Sequence, residues 1–197
     1  MIPGELRLRL PDWVGESVAG GPGAAATQED RVRFVLGLAT TSITHGTGGP
    51  FAAAVFERDS GRLVSVGLNL VVPANCSAAH AEVVALSLAQ QAVGSFDLSS
   101  PGLAPMQLVA SSEMCAMCLG AVAWSGVVEV ASAATTEDVE TILGFDEGPR
   151  PVGAADELRR RGIEAHLGVL RDEGRAVLSA YAASGGPVYN PLRREAP

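Results

Sequence analysis

The chain contains no lysine: all 14 of its basic residues are arginine, and 22 acidic residues oppose them, for a net charge of −8. A surface of that sign repels phosphate backbones, which argues against nucleic acid as a partner without excluding a small uncharged base. Aromatic residues are scarce, at 5%, so the core has to be built from small and branched aliphatic side chains. The hydrophobic share of 47% and the mean hydropathy of +0.24 provide enough of them to exclude wholesale disorder. No run approaches the roughly 18 apolar residues that a membrane helix needs. The first ten residues alternate Arg7 and Arg9 with leucines and lack the apolar stretch of a signal peptide. Three cysteines make no disulfide framework. Cys115 and Cys118 are too close in sequence for a typical structural bridge, and read as a reduced redox or metal pair in a cytoplasmic protein.

What is present suits one domain with short appendages. Residues 1–27 are rich in Gly, Pro and Ala and read as an N-terminal arm outside the core. Residues 28–184 read as the folded domain, and 185–197 as a C-terminal tail. Thr27 caps a helix over 28–44, where Val32, Val35, Leu36, Ala39 and Ile43 recur at helical spacing. Strands over 51–57 and 62–69 form a hairpin about Asp59-Ser60-Gly61. Further strands over 106–111, 127–133 and 163–170 alternate with helices over 78–92, 115–124, 136–143 (capped by Thr136), 156–161 and 172–183. That order predicts an α/β fold: a five-stranded mixed sheet, its first pair antiparallel, with helices on both faces.

The informative constellation is His80-Ala81-Glu82 followed by Cys115-Ala116-Met117-Cys118. Zinc takes imidazole and thiolate readily, and a catalytic zinc site keeps three protein ligands and one open position. Cys115 and Cys118 stand at i and i+3 at the start of a helix, so both sulfurs project from one face. A helix N-terminus favours thiolates. His80 opens another buried helix, so two helix N-termini can converge on one ion. Glu82, two residues on, is placed to move protons beside it. Asn69, at the end of a strand, offers both a donor and an acceptor to a base edge. Phe51 opens a strand, His45 and His166 stand alone, Cys76 reads as a buried free thiol, and Trp124 as core or interface. The Arg159-Arg160-Arg161 run reads as a solvated helix end.

The HxE and CxxC pair resembles the zinc-dependent cytidine deaminase-like superfamily, whose signature is H-x-E…P-C-x-x-C. Gly49-Pro50-Phe51-Ala52-Ala53-Ala54, Gly67-Leu68-Asn69, Cys76-Ser77-Ala78-Ala79-His80-Ala81-Glu82, Trp124-Ser125-Gly126 and Gly144-Phe145-Asp146-Glu147-Gly148-Pro149 are similar to the bacterial guanine deaminase branch, including enzymes that also take the s-triazine ammeline. The likeness is strong over 49–147 and weaker over 181–190.

It implies a three-layer α/β/α fold, with Zn2+ on His80, Cys115 and Cys118 and Glu82 as proton shuttle. Glu147 would be a second carboxylate assisting the leaving amine. Asn69, Phe51, Ala81 and Tyr189 would be substrate contacts, and the tail with Tyr189 and Asn190 an active-site lid. One departure is Met114, which stands where the family has proline and is expected to loosen the approach to Cys115 slightly. The expected activity is hydrolytic deamination of a free nucleobase, guanine to xanthine first, with ammeline or a cytosine analogue as the near alternative. The expected assembly is a homodimer through the helix near Gly120–Gly126. A tRNA adenosine deaminase shares the motif but needs a basic surface, which the charge opposes. A non-catalytic zinc-stapled domain would be expected to use four protein ligands.

Overall fold

Trp13 and Val14 give the first 27 residues an element of their own. In this computed structural model, which describes residues 4–19, 21–23 and 26–190, α1 (Trp13–Ala19) buries Val14 in the core. The Trp13 ring stacks on His45 at 5.1 Å, and its indole N–H donates to the Thr47 hydroxyl. The expectation of an arm outside the core is therefore corrected for this stretch. Glycine and proline dominate its composition, but two apolar side chains at the start of a short helix are enough to dock it.

Thr27 and Asp30 form a reciprocal capping box at the start of α2 (Gln28–Thr44), satisfying N–H groups that the first turn would leave free. A hairpin follows, β1 (Ala52–Glu57) and β2 (Leu63–Leu68), then α3 (Ala81–Val93), β3 (Met106–Ser112), α4 (Ala116–Ser125) and β4 (Glu129–Ala134). The chain closes with α5 (Thr136–Leu143), α6 (Ala154–Arg160), β5 (Glu164–His166) and α7 (Arg171–Ser184). The sheet order is β2-β1-β3-β4-β5. Its β2–β1–β3 part is antiparallel, and β3–β4–β5 is parallel. This is the expected five-stranded mixed sheet.

Strand alternation divides the core into two layers. Ala53, Val55, Leu108, Ala110 and Val130 pack under α3, α4 and α6, while Ala54, Phe56, Val109, Ala131 and Ala133 pack under α1, α2 and α7. With so few aromatics, backbones approach closely. A Cβ on Gly67 would strike the Ala81 carbonyl and the Ala85 N–H, so only glycine lets α3 lie this close to β2.

Several boundaries differ from the sequence reading. Thr135, not Thr136, caps α5, because its partner at the third helical position is Asp138. This leaves the Thr136 hydroxyl for other work. The strand expected over 163–170 is three residues long, since β5 is an edge strand pairing only along Glu129–Ala131, and Gly168 then turns the chain at positive φ. The helix expected from 78 starts at Ala81, with His80 extended as its N-cap. Among the described residues no helix is long and apolar enough to cross a membrane.

Candidate active site

The carboxyl end of β3, the starts of α3 and α4, and the loop after α5 converge on one cavity of about 820 Å³. Cys115 is the N-cap of α4, Cys118 lies in its first turn, and His80 is the N-cap of α3. At His80 and Cys115 the side chain makes no capping hydrogen bond to its own helix. The His80 Nδ1 lies 3.5 Å from the Cys115 sulfur and 3.6 Å from the Cys118 sulfur. Met114 is 1% exposed in the core beneath α4. A packed side chain thus restrains the approach to Cys115 where a proline ring would otherwise do so.

One imidazole nitrogen and two sulfurs lie within 4.8 Å of one another, a donor set that suits a divalent ion of borderline softness. The electrostatics fit as well. A hydrogen bond from Cys118 holds the Cys115 thiol down at about 4. That same bond, with burial, pushes Cys118 far up. Burial is the largest single influence and works against the His80 imidazolium, but the hydrogen bond to Cys115 and the charges of Cys115, Glu82 and Glu147 together outweigh it and raise His80. The cluster by itself supports one thiolate and resists a second; a cation between the sulfurs would remove that conflict.

Glu82 lies in the first turn of α3, 6% exposed. Burial raises its pKa, and negative charge on Cys115 adds to the effect. Glu147 is 8% exposed on the loop after α5, and burial followed by the Cys115 and Glu82 charges pushes it up to about 8. Its carbonyl accepts the first free N–H of α4, from Ala116. Both carboxyls sit in surroundings that favour holding a proton, as proton-transfer groups require.

Asn69 follows β2 and is 1% exposed. Its Oδ1 accepts from the Val71 N–H at 3.3 Å, which leaves the amide NH2 to donate into the cavity. Phe51, Phe145 and Tyr189 form an edge-to-face series, with ring centroids 5.4 and 4.9 Å apart. Among the described residues the Tyr189 hydroxyl is buried without a hydrogen-bond partner, and a Cβ on Gly49 would strike it. Asn190 grips the neighbouring loop by its backbone: its amide donates to the Gly144 carbonyl and accepts from the Asp146 N–H. The tail from 185 to 190 thus lies across the site of its own chain. Residues 191–197 of the expected lid lie outside the described residues.

The cavity brings together His80, Glu82, Cys115, Glu147, Asn69, Phe51 and Tyr189, with Cys118 joined to them through His80. Ala81 is the exception. It is fully buried, its side chain packs in the core, and its carbonyl faces Gly67, because the first residue of α3 points toward the sheet. Cys76 is half-buried and lines the cavity, so it is not the buried thiol expected. His166 is not isolated: it pairs with Glu164 at 3.1 Å. Trp124 is 87% exposed and does not belong to the core. Nothing local in the sequence singles out Glu113 or Arg150, and Phe145 is visible only inside its Gly-flanked motif.

Residues 26–134 match the family model of the cytidine and deoxycytidylate deaminase zinc-binding region. The chain is 36% identical over 119 residues to a guanine deaminase of Bacillus subtilis (strain 168), covering 60% of this chain and 71% of that protein. A solved structure described as guanine deaminase from Nitrosomonas europaea superposes with a TM-score of 0.86 at 48% identity, over 93% of this chain and 99% of that one. A further solved structure, in complex with 2,6-diaminopurine, gives a TM-score of 0.87 at 49% identity over 94% and 97% of the two chains.

Proposed function

Since the chain belongs to the cytidine and deoxycytidylate deaminase zinc-binding family, and is thus a zinc-type deaminase, we propose that it converts guanine and water to xanthine and ammonia. The observation that supports this most is the meeting of His80, Cys115 and Cys118 with Glu82 in a cavity whose walls are flat aromatic rings and whose edge carries an amide donor. The likeness to two guanine deaminases supports the choice of base.

His80, Cys115 and Cys118 would hold Zn2+. Bound there, zinc would supply a Lewis acid that brings the pKa of water to about 7. Glu82 takes one proton from the attacking water and delivers it to a ring nitrogen as the new C–O bond forms. It then carries the second proton, from the new hydroxyl, to the amine as the C–N bond breaks and ammonia leaves. Its burial keeps it basic enough for the first transfer, and its place in the first turn of α3 keeps it two residues from His80. Asn69 presents its NH2 to an acceptor on the base edge, as its own oxygen is already engaged by Val71. Phe51 and Phe145 confine a planar ring, and Tyr189 closes the cavity above Gly49. Glu147 assists at the amine, holding it and sharing the proton that leaves with it.

Residues 28–184 constitute the deaminase domain in this reading, the tail is its lid, and the protein works in the cytoplasm as a homodimer. A second copy is favoured by the face of α4, where Met117, Gly120 and Trp124 are exposed together. Sedimentation of the purified chain tests the dimer, and a monomer at micromolar concentration would refute it.

Ammonia release from the zinc-loaded protein tests the activity, run in parallel on guanine, ammeline, cytosine, cytidine and adenine. Turnover of guanine ahead of the others is expected. Activity confined to ammeline or a cytosine analogue would overturn the substrate and keep the site. Silence on all five, with zinc bound, would overturn the reading.

A further inference from the structure

Glu147 is buried although the loop that carries it, between α5 and α6, has no secondary structure of its own. Its near end is gripped by Asn190 and by the Ala116 N–H. The far end has a separate fastening. Arg150, with 17% of its side chain exposed, reaches back to Glu113 at 3.1 Å, itself 13% exposed. The same guanidinium donates to the Thr136 hydroxyl, and that hydroxyl donates to the same Glu113 oxygen at 3.0 Å. Glu113 stands between the end of β3 and Cys115, and its own N–H is tied to the Ala134 carbonyl at 2.8 Å. One side chain of the Glu147 loop is therefore bonded to the segment that delivers the first cysteine and to the first residue of α5. A planar guanidinium can serve both acceptors at once from a fixed orientation, which a lysine ammonium does not do.

We propose that Arg150 is a positioning residue: through Glu113 and Thr136 it fixes the loop on which Glu147 reaches the cavity. This rests on the reading that Glu147 takes part in deamination. The latch aligns the loop-borne carboxyl with the helix-borne donors, and displacements on the scale of 1 Å are enough to matter in such sites.

Steady-state kinetics on guanine and amide hydrogen exchange, both on the zinc-loaded full chain, test it together. Arg150→Met is expected to lower kcat about tenfold or more, with KM and zinc content nearly unchanged. Arg150→Lys should restore only part of the loss. In a Glu147→Gln background, Arg150→Met should cost nothing further, because the group it positions is already gone. Exchange of the amides over 144–150 should accelerate in Arg150→Met. An equal fold-loss in both backgrounds, or exchange that does not change, overturns the latch. If the unaltered chain releases no ammonia from guanine, the functional reading fails on its own, and exchange alone then decides the latch.

Discussion

The two halves of the site are built differently. His80, Glu82, Cys115 and Cys118 stand at N-caps or in first turns of α3 and α4, each fixed by a helix packed on the sheet. Asn69, Phe51, Phe145, Glu147, Tyr189 and Asn190 stand on loops and the tail, held by hydrogen bonds and ring contacts between distant stretches of chain. In the first half, position follows from spacing: a residue's offset along a helix sets where its side chain points. In the second, position depends on whether other contacts form. The helix half should therefore tolerate loop changes, and the loop half should govern how the substrate is held and released.

The largest expected effect lies in the helix half. Glu82→Gln keeps the shape and the three donors but removes the proposed proton carrier, so kcat should fall by roughly 10²–10⁴-fold. Zinc content by atomic absorption should be unchanged. An active Glu82→Gln protein would break the comparison at its strongest point.

Next comes Glu147→Gln. As an assisting group on a loop it should cost less, about 10²-fold in kcat at most. A loss larger than that of Glu82→Gln would reverse the ranking of the two halves. Smaller again is Tyr189→Phe. Its hydroxyl is buried and unpaired among the described residues, and such a group lowers stability by about 1–3 kcal/mol. Removing it should leave Tm unchanged or raised, whereas KM should rise by about fivefold if the hydroxyl meets the base, as a net hydrogen bond of about 1 kcal/mol implies. Differential scanning calorimetry and a KM measurement on the same variant separate these two contributions.

The same division explains what the sequence made legible. HxE and CxxC are local patterns, and at helix starts a local pattern is already a geometry; all four side chains fall where their spacing puts them. Ala81 lies in the same motif but faces Gly67, since consecutive residues of a helix cannot all face one cavity. The loop half offers no such rule. Arg150 and Glu113 are 37 residues apart, and Asn190 and Asp146 are 44 apart. Nothing near Arg150 in sequence announces an ion pair with the approach to Cys115. Thr135 and Thr136 show how narrow the margin is even locally: the position of Asp138 decides which threonine caps and which is left for Arg150. Trp13 and Val14 were hidden by the glycine and proline around them.

The smallest effect on turnover, and the clearest separation of fold from site, should come from Asp138. Its carboxylate is 1% exposed, closes the α5 capping box with Thr135, and binds Arg171 at 2.7 Å as well as Arg175 on α7. The Arg171 hydrogen bond leads in holding its pKa well below the usual carboxylate range, against burial and with help from Thr135 and Arg175. A depressed carboxylate stabilises the fold above its unfolded pKa of about 3.9 and loses that contribution as pH falls through the lower folded value. Asp138→Asn should therefore lower Tm at pH 7 by roughly 6–12 °C, using about 3 kcal/mol for a broken buried pair whose arginines are half exposed. The gap between the two proteins should be constant down to about pH 5 and close below pH 4. Turnover at 25 °C and pH 7 should stay within about twofold, because the Arg150 latch bonds to Thr136 and Glu113 and not to Asp138. A gap in Tm that persists in acid would show that Asp138 acts by packing and not by charge. A large fall in kcat would show that α5 sets the position of the Glu147 loop as firmly as α3 and α4 set their own residues, and the line between the two halves would have to be redrawn to include it.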